Sequence, residues 1–312
     1  MEKKTVIVSL IYKFLERTGY QGIAFIIQII LARLLTPSDY GVLTMLTIFI
    51  TISQVFVQSG LNTALIQKKK VDEVDYSSVF YVSLGIAVVL YIVLFIASPY
   101  IASFYNMPEL SNILKVLALI LIPGAFNSIQ NAIVAREMQF KKLLYSTMAA
   151  VIISGSIGIG MAYAALGTWS LVGQQLSNQI VACLVLMFLI KWYPKRCFSF
   201  VKVKELFSFG WKLLCSNLID TIYTNLQSLV IGKKYDAATL GFFNRGKQFP
   251  QILVENINGS VQSIMLPTLS QYQDEKRKLK SLTRRAIVTS SVIVFALLIG
   301  LAVISKALIC LI

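Results

Sequence analysis

The chain has 312 residues, of which 56% are hydrophobic and 14% charged, with 29 Lys and Arg against 14 Asp and Glu. A soluble domain runs at about 45–50% apolar and about 25% charged, so a soluble fold lacks the polar skin that these apolar runs would need. There is no histidine, which excludes His-based acid–base catalysis, Ser-His triads and His-ligated metals within this chain.

A membrane-spanning helix needs about 20 mainly apolar residues, because the hydrocarbon core is about 30 Å thick and a helix rises about 1.5 Å per residue. The sequence predicts an all-α integral membrane protein with nine such helices, at 11–35, 41–66, 78–102, 113–135, 145–165, 169–190, 211–231, 249–269 and 286–304. The first run is too long for a signal-peptide core and contains Glu16 and Arg17, so it is expected to remain as a helix. Turn residues separate the runs at Thr36-Pro37-Ser38-Asp39, Asn106-Met107-Pro108 and Leu166-Gly167-Thr168. The fourth span carries Asn127, Gln130 and Asn131, and the sixth carries Gln174, Gln175, Asn178 and Gln179. On the seventh, Asn217, Asp220, Thr221, Thr224 and Asn225 share one helical face. Such stripes suit either a polar cavity or helix–helix hydrogen bonding. The eighth span carries Glu255, Asn256, Asn258 and Gln262 and is the least apolar. Gly155, Gly158 and Gly160 on the fifth predict close helix packing. Trp169, Trp192, Tyr193 and Trp211 near span ends predict an interfacial aromatic belt.

Placing the amino terminus in the cytoplasm puts nineteen Lys and Arg in inner segments and seven in outer ones, as the positive-inside rule requires. The net charge of +15 therefore reads as a topology signal. Its bases are dispersed among loops, unlike a nucleic-acid patch, and no nucleic-acid partner is expected. Cys183, Cys197, Cys215 and Cys310 have no metal-ligand spacing and read as free thiols; no cofactor or metal is expected.

The chain also repeats itself. Ala32-Arg33 and Gly41 recur as Gly232-Lys233 and Gly241, 200 residues on. Val57-Gln58-Ser59 with Leu65 and Gln67 recur as Val261-Gln262-Ser263 with Leu269 and Gln271, at an offset of 204. Six spans separate the copies, which predicts a parallel repeat with the two copies in the same orientation. The expected domains are a six-helix bundle over 1–200 and a partial second bundle of three helices over 201–312. Completing the second bundle would take roughly 100 more residues at about 20 per span plus loops. The expectation is a truncated product or a split reading frame.

Seven stretches carry a family resemblance: 30–41 (ILARLLTPSDYG), 58–67 (QSGLNTALIQ), 75–80 (DYSSVF), 135–141 (AREMQFK), 205–212 (ELFSFGWK), 229–234 (LVIGKK) and 266–270 (LPTLS). On these the chain resembles the Wzx-type lipid-linked oligosaccharide flippases of the multidrug/oligosaccharidyl-lipid/polysaccharide exporter superfamily. Members have about twelve to fourteen spans, so this chain departs from them by ending early. The resemblance implies polysaccharide biosynthesis and export. Undecaprenyl-diphosphate-linked oligosaccharide would cross the bacterial inner membrane by alternating access between two bundles, with membrane lipid around them.

Such a task needs cations for the diphosphate, since Arg and Lys pair with phosphate oxygens. Charges inside spans are costly and usually face a cavity or a partner. The candidates are Arg17, Arg33 and Lys212, with Lys233 as the repeat mate of Arg33. Arg33, Lys212 and Lys233 also lie close enough to span ends to snorkel to headgroups, and Arg17 also suits an ion pair with a nearby acid. Glu16, Asp220 and Glu255 are candidates for coupling transport to H⁺ or Na⁺, or for salt bridges. Gln130, Asn131, Gln174, Asn178, Asn217 and Asn225 are candidate cavity-lining residues. Two other classes stay in view: a drug or cation antiporter of the same superfamily, in which Glu16 would carry the coupling ion, and an inactive truncated fragment. A membrane enzyme is disfavoured by the missing histidine and the lack of paired intramembrane carboxylates.

Overall fold

The computed structural model describes residues 3–311 apart from 59, 69, 70, 249, 252, 253 and 255–275. Helices account for most of them, and no β-strand occurs among the described residues. The chain divides into two compact units, 1–241 and 242–312. Among the described residues, six helical runs are long and apolar enough to cross a bilayer: Pro37–Gln67, Glu73–Tyr105, Glu109–Glu137, Phe140–Tyr163, Thr168–Ile190 and Lys280–Ser305. The expected eighth span lies almost entirely outside the described residues, Glu255 with it.

In the first unit, α1 (Lys3–Leu34) is followed by α2 (Pro37–Gln58) and α3 (Leu61–Gln67). Then come α4 (Glu73–Tyr105), α5 (Glu109–Leu117), a short 3₁₀ turn (Ala118–Ile120), α6 (Leu121–Glu137), α7 (Phe140–Tyr163), α8 (Thr168–Ile190) and α9 (Phe200–Lys234). Residues 237–248 are again helical. In the second unit the last helix is α10 (Lys276–Leu311).

Local chemistry explains the breaks. Gly60 at φ +66° divides α2 from α3, a left-handed conformation that glycine adopts without a Cβ penalty. Asn106 at φ +56° ends α4, and Gly167 at φ +53° makes the α7–α8 turn. Within α4, Pro99 lacks the amide that would bond the Phe95 carbonyl. The Ser98 hydroxyl donates to that carbonyl instead, at 2.8 Å, so it keeps a donor inside an apolar helix. Helix α7 packs on α8 and α1, whereas α9 lies along α2, α3 and α4. The expected small-residue packing appears on α7: a methyl on Gly158 would come to 2.9 Å from Gln174 Cβ of α8.

The two ends of the unit are joined to α9 differently. At one end, residues 191–199 form an extended strap from α8 to α9. The Lys195 and Ser199 amides donate to the buried Ser77 and Ser78 hydroxyls at 3.0 and 2.9 Å. Asp75, fully buried, closes a capping box with Asp72 at the start of α4 and accepts from Lys68 at 3.2 Å. Lys68 also reaches Glu205 of α9 at 3.1 Å, and Lys202 of α9 reaches Asp72 at 2.6 Å. Arg136 donates to the Leu65 and Ile66 carbonyls at 2.9 and 3.2 Å and to that of Lys68, capping α3. A methyl on Gly60 would overlap the Gly210 carbonyl oxygen. Beneath lies an apolar cluster around Phe80, which meets Phe126 at 4.6 Å and Trp192 of the strap at 6.0 Å between ring centroids. Trp192 therefore packs inward.

At the opposite end the contact is between backbones. Pro37–Gly41, the start of α2, lies against residues 237–241, so closely that a methyl on Gly41 would overlap the Ala237 carbonyl oxygen.

Candidate functional site

Inside the first unit is a cavity of about 620 Å³ bounded by α1, α2, α3, α6, α7 and α8. Among the described residues, Glu16 is the one charged residue in its lining. The remaining polar wall comprises Gln54, Gln58, Asn62, Asn127, Ser128, Asn131, Ser146, Thr147, Asn178 and Gln179. Gln54, Gln58 and Asn62 follow i, i+4, i+8, so one stripe faces the cavity across the Gly60 break.

The hydrogen bonds set the character of the wall. The Thr147 hydroxyl donates to the Leu143 carbonyl at 2.7 Å and lies 3.3 Å from Glu16 Oε1. The Asn127 amide group donates to the Gln179 carbonyl at 3.0 Å, which turns its own carbonyl away. Asn62 donates to the Ser128 hydroxyl. The side-chain carbonyl oxygens of Asn62 and Asn127 are buried and have no hydrogen-bond partner. A buried acceptor left alone costs about 1–3 kcal/mol. The wall thus combines one carboxylate with spare acceptors, which suits a proton, a small cation or a hydroxyl donor.

The structure sorts the expected site residues. Glu16, Asn131 and Asn178 line the cavity; Asn178 also donates to Ser154 at 3.1 Å. Gln130 is buried beside the cavity and donates to the Cys183 carbonyl at 3.3 Å, joining α6 to α8. Gln174 packs against Gly158 outside the lining. Asn217 and Asp220 are exposed on α9, and Asn225 donates to the Thr221 carbonyl at 2.8 Å. None of Arg17, Arg33, Lys212 and Lys233 is in the cavity lining. All four are exposed, on α1 and α9. Lys233 donates to the Phe104 carbonyl and sits over the Phe104 ring, 4.3 Å from its centroid. The sequence reading missed Gln54, Gln58, Asn62, Ser128, Ser146 and Thr147; the i, i+4, i+8 stripe was the available signal for the first three.

The first unit is thus a set of helices, several long and apolar enough to cross a membrane, around a polar internal cavity. The solved inward-facing structure of a multidrug resistance MATE family transporter of the MOP superfamily superposes with a TM-score of 0.70, at 17% identity, over 93% of this chain and 72% of that one. By the family model that matches residues 30–312, the chain belongs to the polysaccharide biosynthesis protein family. Relatives include the succinoglycan biosynthesis transport protein ExoT of Rhizobium meliloti (strain 1021), 22% identical over 96% of this chain and 60% of that protein. The lipopolysaccharide biosynthesis protein WzxC of Escherichia coli (strain K12) is 22% identical over 91% of this chain and 58% of its own. The teichuronic acid biosynthesis protein TuaB of Bacillus subtilis (strain 168) is 27% identical over 82% and 53%. The chain spans between 53% and 60% of the length of these relatives.

Proposed function

We propose that this chain carries the first bundle and part of the second of a flippase that moves undecaprenyl-diphosphate-linked oligosaccharide across the bacterial inner membrane by alternating access. In this reading the amino terminus is cytoplasmic, and nine spans divide into six over 1–200 and three over 201–312. The carrying observation is the family match over residues 30–312, with relatives named for succinoglycan biosynthesis transport and for lipopolysaccharide and teichuronic acid biosynthesis. Large polar sugars and a diphosphate cannot cross hydrocarbon unaided, and a protein path walled with polar groups lowers that barrier. Arg17, Arg33, Lys212 and Lys233 are the proposed diphosphate contacts. Glu16 is the proposed coupling residue, supported by its place as the one carboxylate in the cavity wall among the described residues. Asp220 and Glu255 are the alternatives.

A drug or cation antiporter is the second reading. It is favoured by one specific observation: among the described residues, the charge in the cavity lining is negative and no base accompanies it.

The test is a deletion strain. Loss of the gene is expected to accumulate lipid-linked oligosaccharide on the inner leaflet, and the wild-type gene is expected to clear it. Clearance by Glu16→Gln should no longer respond to imposed proton or sodium gradients. Normal oligosaccharide handling in the deletion strain would overturn the flippase reading, and a coupled Glu16→Gln would move the ion site to Asp220 or Glu255.

A further inference from the structure

The contact between the starts of α2 and of the helix at 237–248 is reciprocal. A methyl on Gly41 would overlap the Ala237 carbonyl oxygen and come to 3.0 Å from Ala237 Cα. A methyl on Gly241 would overlap the Pro37 carbonyl oxygen and come to 3.3 Å from the Gly41 nitrogen. Position 237 is 200 residues after 37, and 241 is 200 after 41. Each glycine therefore rests on the first helical residue of the other's helix, the counterpart of its own. Such reciprocity is how two equivalent surfaces meet about a two-fold axis.

Each helix start is also fixed by its own cap, with the same two residue types exchanged. Thr36 donates through its amide and hydroxyl to Asp39, at 2.9 and 2.7 Å. Two hundred residues on, Thr239 donates through its amide at 3.2 Å, and through its hydroxyl, to Asp236. Asp39 further accepts from Thr168, tying in the α7–α8 turn at 2.9 Å. Below the glycines, Met45 and Leu240 are both buried and flank Gly232: a methyl there would lie 3.2 Å from Met45 Cγ and 3.1 Å from Leu240 Cδ2.

We infer that this glycine seam is the outer gate of the transporter: the two helix starts part here when the path opens on that side and rejoin when it closes. The inference rests on the alternating-access reading above. Glycine at both crossings lets the backbones close without a side-chain crevice. Parting them unthreads no side chain, and the caps keep each helix start intact while it moves. The opposite end of α9 is fastened by the strap and by Lys68–Glu205 and Lys202–Asp72, which makes it the pivot.

The experiment uses Met45→Cys in the full chain, with Cys183, Cys197, Cys215 and Cys310 changed to serine, in membranes. A membrane-impermeant maleimide is applied to spheroplasts and to inside-out vesicles. Gly41→Ala and Gly241→Ala are each expected to raise labelling from the outer face about tenfold, because the added methyl opposes seam closure. Gly85→Ala, with open space around it, is expected to leave labelling unchanged. Unchanged labelling from both faces in a glycine variant that accumulates normally would overturn the gate. Should both alanine variants fail to accumulate, Thr36→Val and Thr239→Val weaken the caps without adding bulk at the seam. These are expected to raise labelling about threefold, and no rise would again overturn the gate. A rise from the inner face keeps the gate and overturns the assigned orientation. A labelling response to Gly41→Ala, with no oligosaccharide phenotype on deletion, keeps the gate and overturns the flippase reading.

Discussion

The strap corner and the glycine seam hold two successive segments, α9 and the start of the helix after it, against the rest of the first unit by opposite means. The corner uses charge and hydrogen bonds: Lys68, Asp72, Asp75, Lys202 and Glu205 link α9 to the α3–α4 turn, with Arg136 capping α3. The seam uses bare backbone, Gly41 on Ala237 and Gly241 on Pro37. The contrast teaches where tolerance lies. Ionic groups are flexible and individually replaceable, whereas a backbone crossing has no slack. The corner contains one such crossing too, Gly60 on Gly210, so the contrast can be tested inside it.

The largest effect is expected at that crossing. Gly60→Ala meets both a left-handed φ and the Gly210 carbonyl. Strain and overpacking together should cost about 3 kcal/mol, read as a lowered Tm in detergent. A loss no greater than that of Gly85→Ala would mean that the corner yields as easily as its charges. Next comes Asp75→Ala, which removes a helix cap worth about 1 kcal/mol and leaves the half-buried Lys68 with the exposed Glu205 in place of its buried carboxylate partner. A loss of about 2 kcal/mol is expected, and adding Lys68→Met should recover part of it by removing a charge that has lost its buried partner. Failure of that double variant to recover would place the cost in the cap alone.

Smaller still is the more exposed pair. Lys202→Asp should lower the Tm by less than Asp75→Ala does, because solvent screens an exposed pair, and Asp72→Lys in the same chain should restore it. The smallest effect is a pH dependence. The hydrogen bond from Lys202 holds the Asp72 carboxyl below its ordinary 3.8, and the bond to Asp72 holds the Lys202 ammonium above its ordinary 10.5. The Asp72 contribution is therefore complete above 3.8 and is lost as pH falls through its lowered value. The Lys202 contribution is complete below 10.5 and is lost as pH rises through its raised value. The stability difference between wild type and Asp72→Asn should stay level from pH 5 to 9 (about the window these two values leave) and shrink in acid.

Much of the helix layout was legible because long apolar runs and turn residues are local signals. The turns at Thr36–Asp39, Asn106–Pro108 and Leu166–Thr168 fall where α1, α4 and α7 end. The break at Gly60 was not legible, since a single glycine between apolar residues also occurs within helices. The cavity was legible in part. Asn131 and Asn178 line it, while Gln130 and Gln174, drawn from the same polar stripes, meet neighbouring helices instead. A stripe shows which side of a helix is polar, but only the packing decides whether that side meets space or a neighbour. The resemblance stretches carried information of another kind. Residues from 58–67, 75–80, 135–141 and 205–212 converge on the strap corner or border it, and Gly41 of 30–41 lies at the seam. Those stretches mark joints, which composition and periodicity do not reveal.

The strap has a consequence for how its sequence can drift. It is gripped through the amides of Lys195 and Ser199 by the Ser77 and Ser78 hydroxyls, and every residue except proline offers the same amide. Substitutions along 193–199 should therefore pass largely unnoticed, proline at 195 or 199 should not, and the two serines beneath should be far less free to vary than the segment they hold.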